Sequence, residues 1–153
     1  MVIRKATFKD MLGVLHLIQE LADYEKASNE VEVTVEQLQA DGFGNNKLFD
    51  CIVAENGREI IGMALYYYRY STWKGKTIYL EDLVVKQNYR RKGIGSKLFE
   101  ELIDKCKSQK VKRFEWQVID WNEPAIEFYK KYKSELGYEW INCKLTEAQL
   151  QEF

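Results

Sequence analysis

Among 153 residues there is one histidine, His16, and one proline, Pro124. His16 stands alone in a helical pattern with no Cys or acidic cluster beside it, so it reads as a surface or boundary side chain. A His-based triad, a His-metal site and a His general base are thereby excluded. The three cysteines, Cys51, Cys106 and Cys143, are odd in number, far apart and without a C-x-x-C pair. Neither a zinc knuckle nor a dithiol redox motif fits them. No metal site is expected, and each thiol should pack as a small hydrophobe in a reducing compartment. Charge of one sign is also missing: the net charge is −1 and the pI about 6.0. No global basic field would draw nucleic acid or an anionic membrane. Signal-peptide pattern, apolar runs of membrane-spanning length, repeats and low-complexity linkers are all lacking. The expectation is a single domain over residues 1–153 in the cytoplasm. What is abundant is apolar mass, 46% with 14% aromatic, interleaved with charge as in a globular chain.

Apolar spacing sets the order of elements. Val2–Ala6 reads as a first strand. Met11, Val14, Leu15, Ile18 and Leu21 recur at helical spacing and predict a helix from Phe8 to about Glu25. Thr34 and Gln37 form a capping-box signature for a short helix that Gly42 ends. Leu48–Glu55 reads as a strand, and Asn56-Gly57 is a strong hairpin signal. Ile60–Tyr70 and Thr77–Val85 follow as strands joined through Trp73-Lys74-Gly75-Lys76. A helix from Ile94 to about Ser108 presents Leu98, Leu102 and Ile103 on one face. Arg113–Ile119 reads as a strand, and Ala125–Tyr132 as a helix with Asn122 as cap and Pro124 in its first turn. Tyr138–Leu145 is expected as a last strand, with Thr146 and Gln149 capping a terminal helical turn. Antiparallel hairpins thus run into a parallel β-α-β unit. The class is α/β (α+β), a mixed central sheet with helices on both faces.

One loop stands out chemically. The strand ending at Val85 runs into Tyr89-Arg90-Arg91-Lys92-Gly93-Ile94-Gly95-Ser96 and then a helix. Glycines let backbone approach a ligand, helix-start N–H groups point outward with the positive end of the dipole, and three consecutive cations add charge. Together they suit a diphosphate, although a glycine loop with a solvated basic run has the same letters. The P-loop pattern and the full G-x-G-x-x-G fingerprint are both absent.

In this element order, Arg90-x-x-Gly93-x-Gly95 resembles the acetyl-CoA pyrophosphate loop of the GNAT acetyltransferase superfamily. More narrowly, Asp41-Gly42-Phe43-Gly44, Tyr79-Leu80-Glu81-Asp82, Tyr89-Arg90, Gly93-Ile94-Gly95-Ser96, Trp121-Asn122-Glu123-Pro124 and Phe128-Tyr129-Lys130 resemble blocks of the diamine (spermidine/spermine) acetyltransferase family. They run in the family's order across nearly the whole chain. The resemblance implies a GNAT fold and acetyl transfer from acetyl-CoA to a primary amine of a small diamine, polyamine or thialysine-like substrate. It places the co-substrate on Leu83, Val84 and Val85, on Arg90, Arg91, Lys92, Gly93, Ile94, Gly95 and Ser96, and on Asn122 and Tyr129. Tyr129 is implied as general acid and Glu81 as base through a water. Tyr24, Glu25, Glu81, Asp82, Glu115, Trp116 and Gln117 are implied to bind the amine, and a homodimer to form with Tyr138–Leu145 in the contact.

Other readings of the same letters stay open. Glu81-Asp82 also suits half of a structural ion pair, Tyr129 a core aromatic, and Tyr24, Glu25 and Glu115–Gln117 ordinary helix-end and strand positions. Three departures bear on substrate. Ser71-Thr72 precedes Trp73 where the polyamine branch has Asp-Pro, which resembles the thialysine-preferring branch. The stretch from Tyr129 to Trp140 is shorter, and a family acidic residue falls near Tyr138 or Glu139. Arg91 replaces a loop glycine, which is expected to be harmless where a cation faces a diphosphate. Two other classes compete: a protein or peptide N-acetyltransferase, for which no added groove-building segment is seen, and a non-catalytic CoA-binding module, which loss of the acid or base would favour.

Overall fold

A computed structural model describes all residues from Met1 to Phe153. They form two compact units, Met1–Gln117 and Val118–Phe153. The first holds strands β1 (Val2–Lys5), β2 (Asp50–Asn56), β3 (Glu59–Ser71), β4 (Gly75–Val85) and β5 (Arg113–Glu115), and helices α1 (Met11–Tyr24), α2 (Val35–Phe43) and α3 (Ile94–Ser108). Strands pair in sequence order; β1 to β4 are antiparallel to their neighbours, and β4–β5 is parallel, with α3 as the crossover. This is the mixed sheet the sequence predicts.

Period-two alternation divides the sheet's side chains between two helical layers. Cys51, Val53, Ile60, Met63, Leu65 and Val84 form a buried cluster with Met11, Val14 and Leu17 of α1 and Leu38 of α2. The alternate residues Ile52, Ala54, Ala64, Tyr66, Ile78 and Leu80 are also buried, on the other face, where Leu98, Phe99 and Leu102 of α3 lie. Gly62 lets that helix in: a Cβ there would stand 3.1 Å from the Val84 carbonyl and 3.2 Å from Leu98 Cδ1. Helices therefore cover both faces.

Several boundaries differ from the periodicity. The expected Phe8–Glu25 helix opens as a 3-10 turn, Phe8–Asp10. Asp10 is pulled from regular helix by four polar contacts: it accepts from Thr7 N (2.6 Å), Thr7 Oγ1 (2.9 Å) and both terminal nitrogens of Arg4 (2.7 and 2.9 Å). At α2, Thr34 accepts from Gln37 N at 3.2 Å, and the helix runs one residue past Gly42. Strand β5 stops at Glu115 rather than Ile119, because its pairing with β4 ends at Tyr79. His16 is exposed on α1 and Cys51 is buried, but Cys143 is exposed rather than packed.

The second unit contains α4 (Glu123–Lys130) and the short α5 (Glu147–Leu150). Asn122 Oδ1 accepts from Ala125 N at 3.4 Å as the cap of α4, with Pro124 in the first turn. Thr146 and Gln149 complete a reciprocal capping box at α5. The expected strand Tyr138–Leu145 does not form. A strand exists only by pairing, and these residues form no ladder; they are exposed, with Tyr138, Trp140 and Ile141 at 82%, 82% and 88%. No helix is long and apolar enough to cross a membrane.

Candidate active site

The decisive local feature is a β-bulge. Leu65 of β3 pairs with Asp82 and the next residue, Tyr66, with Leu80, so Glu81 is the extra residue of β4. Along a regular strand, adjacent side chains point to opposite faces. A bulge breaks that alternation and re-aims a side chain. Here Glu81 reaches Tyr67, whose hydroxyl donates to Glu81 Oε2 at 3.0 Å. Tyr67 alternates with Leu65, and Asp82 is paired to Leu65, so both consecutive carboxylates fall on the α1 face.

That face collects further candidates. Tyr79 is paired with Tyr67, their rings 5.4 Å apart, and the Arg69 guanidinium lies 5.2 Å over the Tyr79 ring. Glu115 is registered beside Tyr79 and is bridged by Arg113 at 2.8 Å. Glu25, just beyond α1, acts electrostatically on Asp82. Burial, then the charges of Glu81 and Glu25, push the Asp82 carboxyl up to about 7. Burial also raises the Glu25 carboxyl above its ordinary value. Such a group of carboxylates suits a cationic amine. Trp116 is not part of it. It packs on Phe99 of α3 and on Phe114, with ring centroids 5.2 and 5.1 Å away, on the opposite face. Gln117 ends the unit and is exposed.

Beyond the bulge, β4 has an open edge. Its pairing with β5 covers only Thr77–Tyr79. Lys86 N donates inward to Ile61 O at 2.9 Å, while Val85 O accepts from Arg90 Nε at 2.9 Å on the other side. Backbone alternation then directs the N–H and C=O of Leu83 and Val85 to that open edge, with Val84 buried in the core.

The basic loop follows. Arg91 and Gly93 both take left-handed backbone, φ +60° and +76°, and Gly93 is the N-cap of α3 without any side-chain cap. The first intrahelical bond is Lys97 N to Gly93 O at 3.1 Å. The N–H groups of Ile94, Gly95 and Ser96 therefore have neither helical partner nor cap. Three such donors at the positive end of a 15-residue helix, with Arg90, Arg91 and Lys92 beside them, fit a diphosphate. Arg91 in place of a glycine is less innocent than its charge suggests, since left-handed backbone costs a non-glycine residue about 1 kcal/mol. The loop is braced from behind. Glu59 takes Lys86 Nζ at 2.6 Å and the Tyr89 hydroxyl at 3.0 Å, and Glu20 Oε1 accepts from Gln87 N at 2.8 Å. These residues line a cavity of about 340 Å³. Arg90 also lies 5.3 Å over the Tyr24 ring, which puts that expected amine-binding residue against the loop.

At the hairpin tip between β3 and β4, Ser71 Oγ accepts from Trp73 N (3.3 Å) and Lys74 N (3.1 Å). It thus keeps the turn-closing role a carboxylate would have had while dropping the charge. The second unit carries Asn122 and Tyr129. Tyr129 is 8% exposed near the end of α4, with its ring 5.2 Å edge-on from Phe128. Sequence reasoning missed Tyr67, Arg69 and Tyr79 as companions of Glu81. Their period-two spacing was visible, but only the strand register shows that they meet it.

Comparison with known proteins bears directly on this arrangement. The acetyltransferase (GNAT) family model matches residues 15–133. A thialysine N-epsilon-acetyltransferase of Sus scrofa is 43% identical over 136 residues, covering 84% of this chain and 80% of that one. One from Caenorhabditis elegans is 38% identical over 146 residues, covering 92% and 88%. Among solved structures, a four-fold mutant of a Bacillus halodurans protein superposes with a TM-score of 0.77 at 28% identity, over 95% of this chain and 100% of that one.

Proposed function

The chain belongs to the GNAT acetyltransferase family and is an acetyltransferase, and from that premise we propose that acetyl-CoA is its donor and a primary amine of a small thialysine-like or diamine molecule its acceptor. The observation that carries the acceptor is the bulge at Glu81, which turns two consecutive carboxylates onto one face beside Glu25 and Glu115. A cationic side-chain amine is attracted there. The kinship with thialysine N-epsilon-acetyltransferases and the uncharged Ser71-Thr72 both favour a thialysine-like amine over a long polyamine.

Acetyl-CoA, when bound, supplies an activated acetyl thioester. Its diphosphate would be held by the free N–H groups of Ile94, Gly95 and Ser96 with Arg90, Arg91 and Lys92. Its arm would meet the open edge at Leu83 and Val85, and Asn122 would contact it from its capping position. Donors fixed in the backbone favour developing negative charge because they need no reorganisation.

The amine must shed a proton to attack. An ammonium has a reference pKa of about 10.4, so freeing its lone pair at pH 7 costs about 4.6 kcal/mol. Glu81 takes that proton, directly or through a water, from the exposed end of the bulge. The charges of Glu81 and Glu25 keep the local field favourable to the cation before transfer. Tyr129 Oη gives its proton to the leaving sulfur. A phenol near 10 against a thiol near 8.5 leaves a mismatch of only about 2 kcal/mol, small enough for the phenol to serve as the acid. The stretch Tyr138–Leu145, with Tyr138, Trp140 and Ile141 exposed, supports a homodimer in which a second copy covers it.

The test is thiol release from acetyl-CoA with a panel of thialysine, lysine, putrescine, spermidine and spermine. Thialysine should turn over fastest, and Tyr129→Phe should lower turnover by at least tenfold. A spermidine rate far above thialysine would overturn the acceptor, and equal rates for wild type and Tyr129→Phe the acid.

A further inference from the structure

Two adjacent carboxylates on one face cannot both ionise at full comfort, because each charge raises the other's proton affinity. Something must decide which of the pair carries the charge. The surroundings of the two are unequal. Glu81 is exposed and accepts the Tyr67 hydroxyl at 3.0 Å. Asp82, more deeply placed beside Leu65 and the α1 core, faces the charges of Glu81 and Glu25. A hydrogen bond donated to a carboxylate favours its ionised form, and burial disfavours it.

Tyr67 is itself held for this task. Its ring packs on Tyr79 at 5.4 Å, and that ring is topped by Arg69 at 5.2 Å. Burial and the bond to Glu81 push its phenol up to about 12, so it is a hydrogen donor throughout the neutral range. The charged and titratable groups facing the pair are Glu25 beyond α1, Cys51 on β2 (a neutral thiol that burial pushes up), Arg69 on β3, Tyr79 on β4, and Arg113 with Glu115 on β5. Arg69 is engaged on the Tyr79 ring and Arg113 on Glu115, so neither competes for Glu81 in the way the Tyr67 hydroxyl does.

We propose that Tyr67 is a positioning residue for the transfer: its hydroxyl holds the Glu81 carboxylate on the open face as the charged member of the pair, leaving Asp82 as the member that keeps the proton. The inference rests on Glu81 as proton acceptor for the amine. Without the phenol, burial would still favour the proton on Asp82, but Glu81 would lose the donor that holds its carboxylate in place and favours its charged form, and the difference between the two would narrow.

The experiment uses Tyr67→Phe, which keeps the ring against Tyr79 and removes only the hydroxyl. Carboxyl 13C NMR titrations of the full chain, needing no substrate, should show Glu81 titrating below Asp82 in wild type. In Tyr67→Phe the gap between the two should narrow by about one pH unit. In thiol-release assays with thialysine, kcat should drop about tenfold with the KM for acetyl-CoA unchanged, and the acidic limb of kcat/KM should move to higher pH. In a Glu81→Gln background, adding Tyr67→Phe should cost less than about twofold, because the two act as one unit. Unshifted titrations, or kinetic losses that multiply, overturn the proposal. Turnover lost in Glu81→Gln but kept in Tyr67→Phe also overturns it, while Glu81 stays the acceptor. Turnover intact in Glu81→Gln overturns the acceptor assignment and this proposal with it.

Discussion

Replacing Asp82 by Asn should make the protein more stable at mildly alkaline pH and not at acidic pH. The folded chain holds this carboxyl up to about 7 against an ordinary value of 3.8, with burial as the first cause and the charges of Glu81 and Glu25 after it. The folded state therefore binds the proton more tightly than the unfolded one. Stability tied to Asp82 is fully present below about pH 4 and is lost as pH rises through about 7. At about 1.4 kcal/mol per pH unit, that gap sets an upper bound of about 4 kcal/mol. Partial solvent access reduces it to roughly 2 kcal/mol. Asp82→Asn keeps volume and removes the titration, so its stability relative to wild type should climb by roughly 2 kcal/mol between about pH 4 and pH 8. The corresponding gain in Tm is roughly 4–8 °C. Urea melts of both proteins across that range provide the assay. Parallel pH curves for the two proteins would refute the claim that Asp82 is a strained carboxyl.

Other expectations follow from single contacts. Arg4 and Thr7 hold the Asp10 carboxyl down at about 2. Asp10 thus contributes about 2 kcal/mol above pH 4 that is lost as pH falls toward 2, and acid unfolding of Asp10→Asn should show a correspondingly flatter curve in that window. Gly93→Ala meets no atom within 4 Å, so its cost is the left-handed backbone alone, about 1–2 kcal/mol; calorimetry should show that loss together with a raised KM for acetyl-CoA. Gly62→Ala brings a Cβ to 3.1 Å from the Val84 carbonyl, and overpacking of about 1–3 kcal/mol should appear in denaturant melts. Leu98→Ala empties a fully buried site on the α3 face and should cost about 2–5 kcal/mol by the same measurement.

Much of this protein was legible in one dimension. The α3 boundaries, Ile94 and Ser108, follow from apolar spacing and the glycine that precedes them. Asn122 and Thr146 announced their helices because a cap bonds an N–H only two or three residues away. The Ser71 departure was visible, while its turn-closing bonds were not. Such features are local, and local residues suffice to specify them.

Tertiary structure decided the rest. Nothing in Tyr79-Leu80-Glu81-Asp82 says that Glu81 is the unpaired residue of a bulge, because a bulge is a mismatch between two strands and the second lies at Leu65-Tyr66. That mismatch turns two neighbouring carboxylates to one side and brings Tyr67 to Glu81. Likewise the pattern of Tyr138–Leu145 gives strand propensity, but a strand needs a ladder, and these residues form none and stay exposed. Sequence thus determined the helices, their caps and the anion-ready loop. The arrangement of charge on the sheet was settled only by register, which is a property of paired backbones rather than of any single segment.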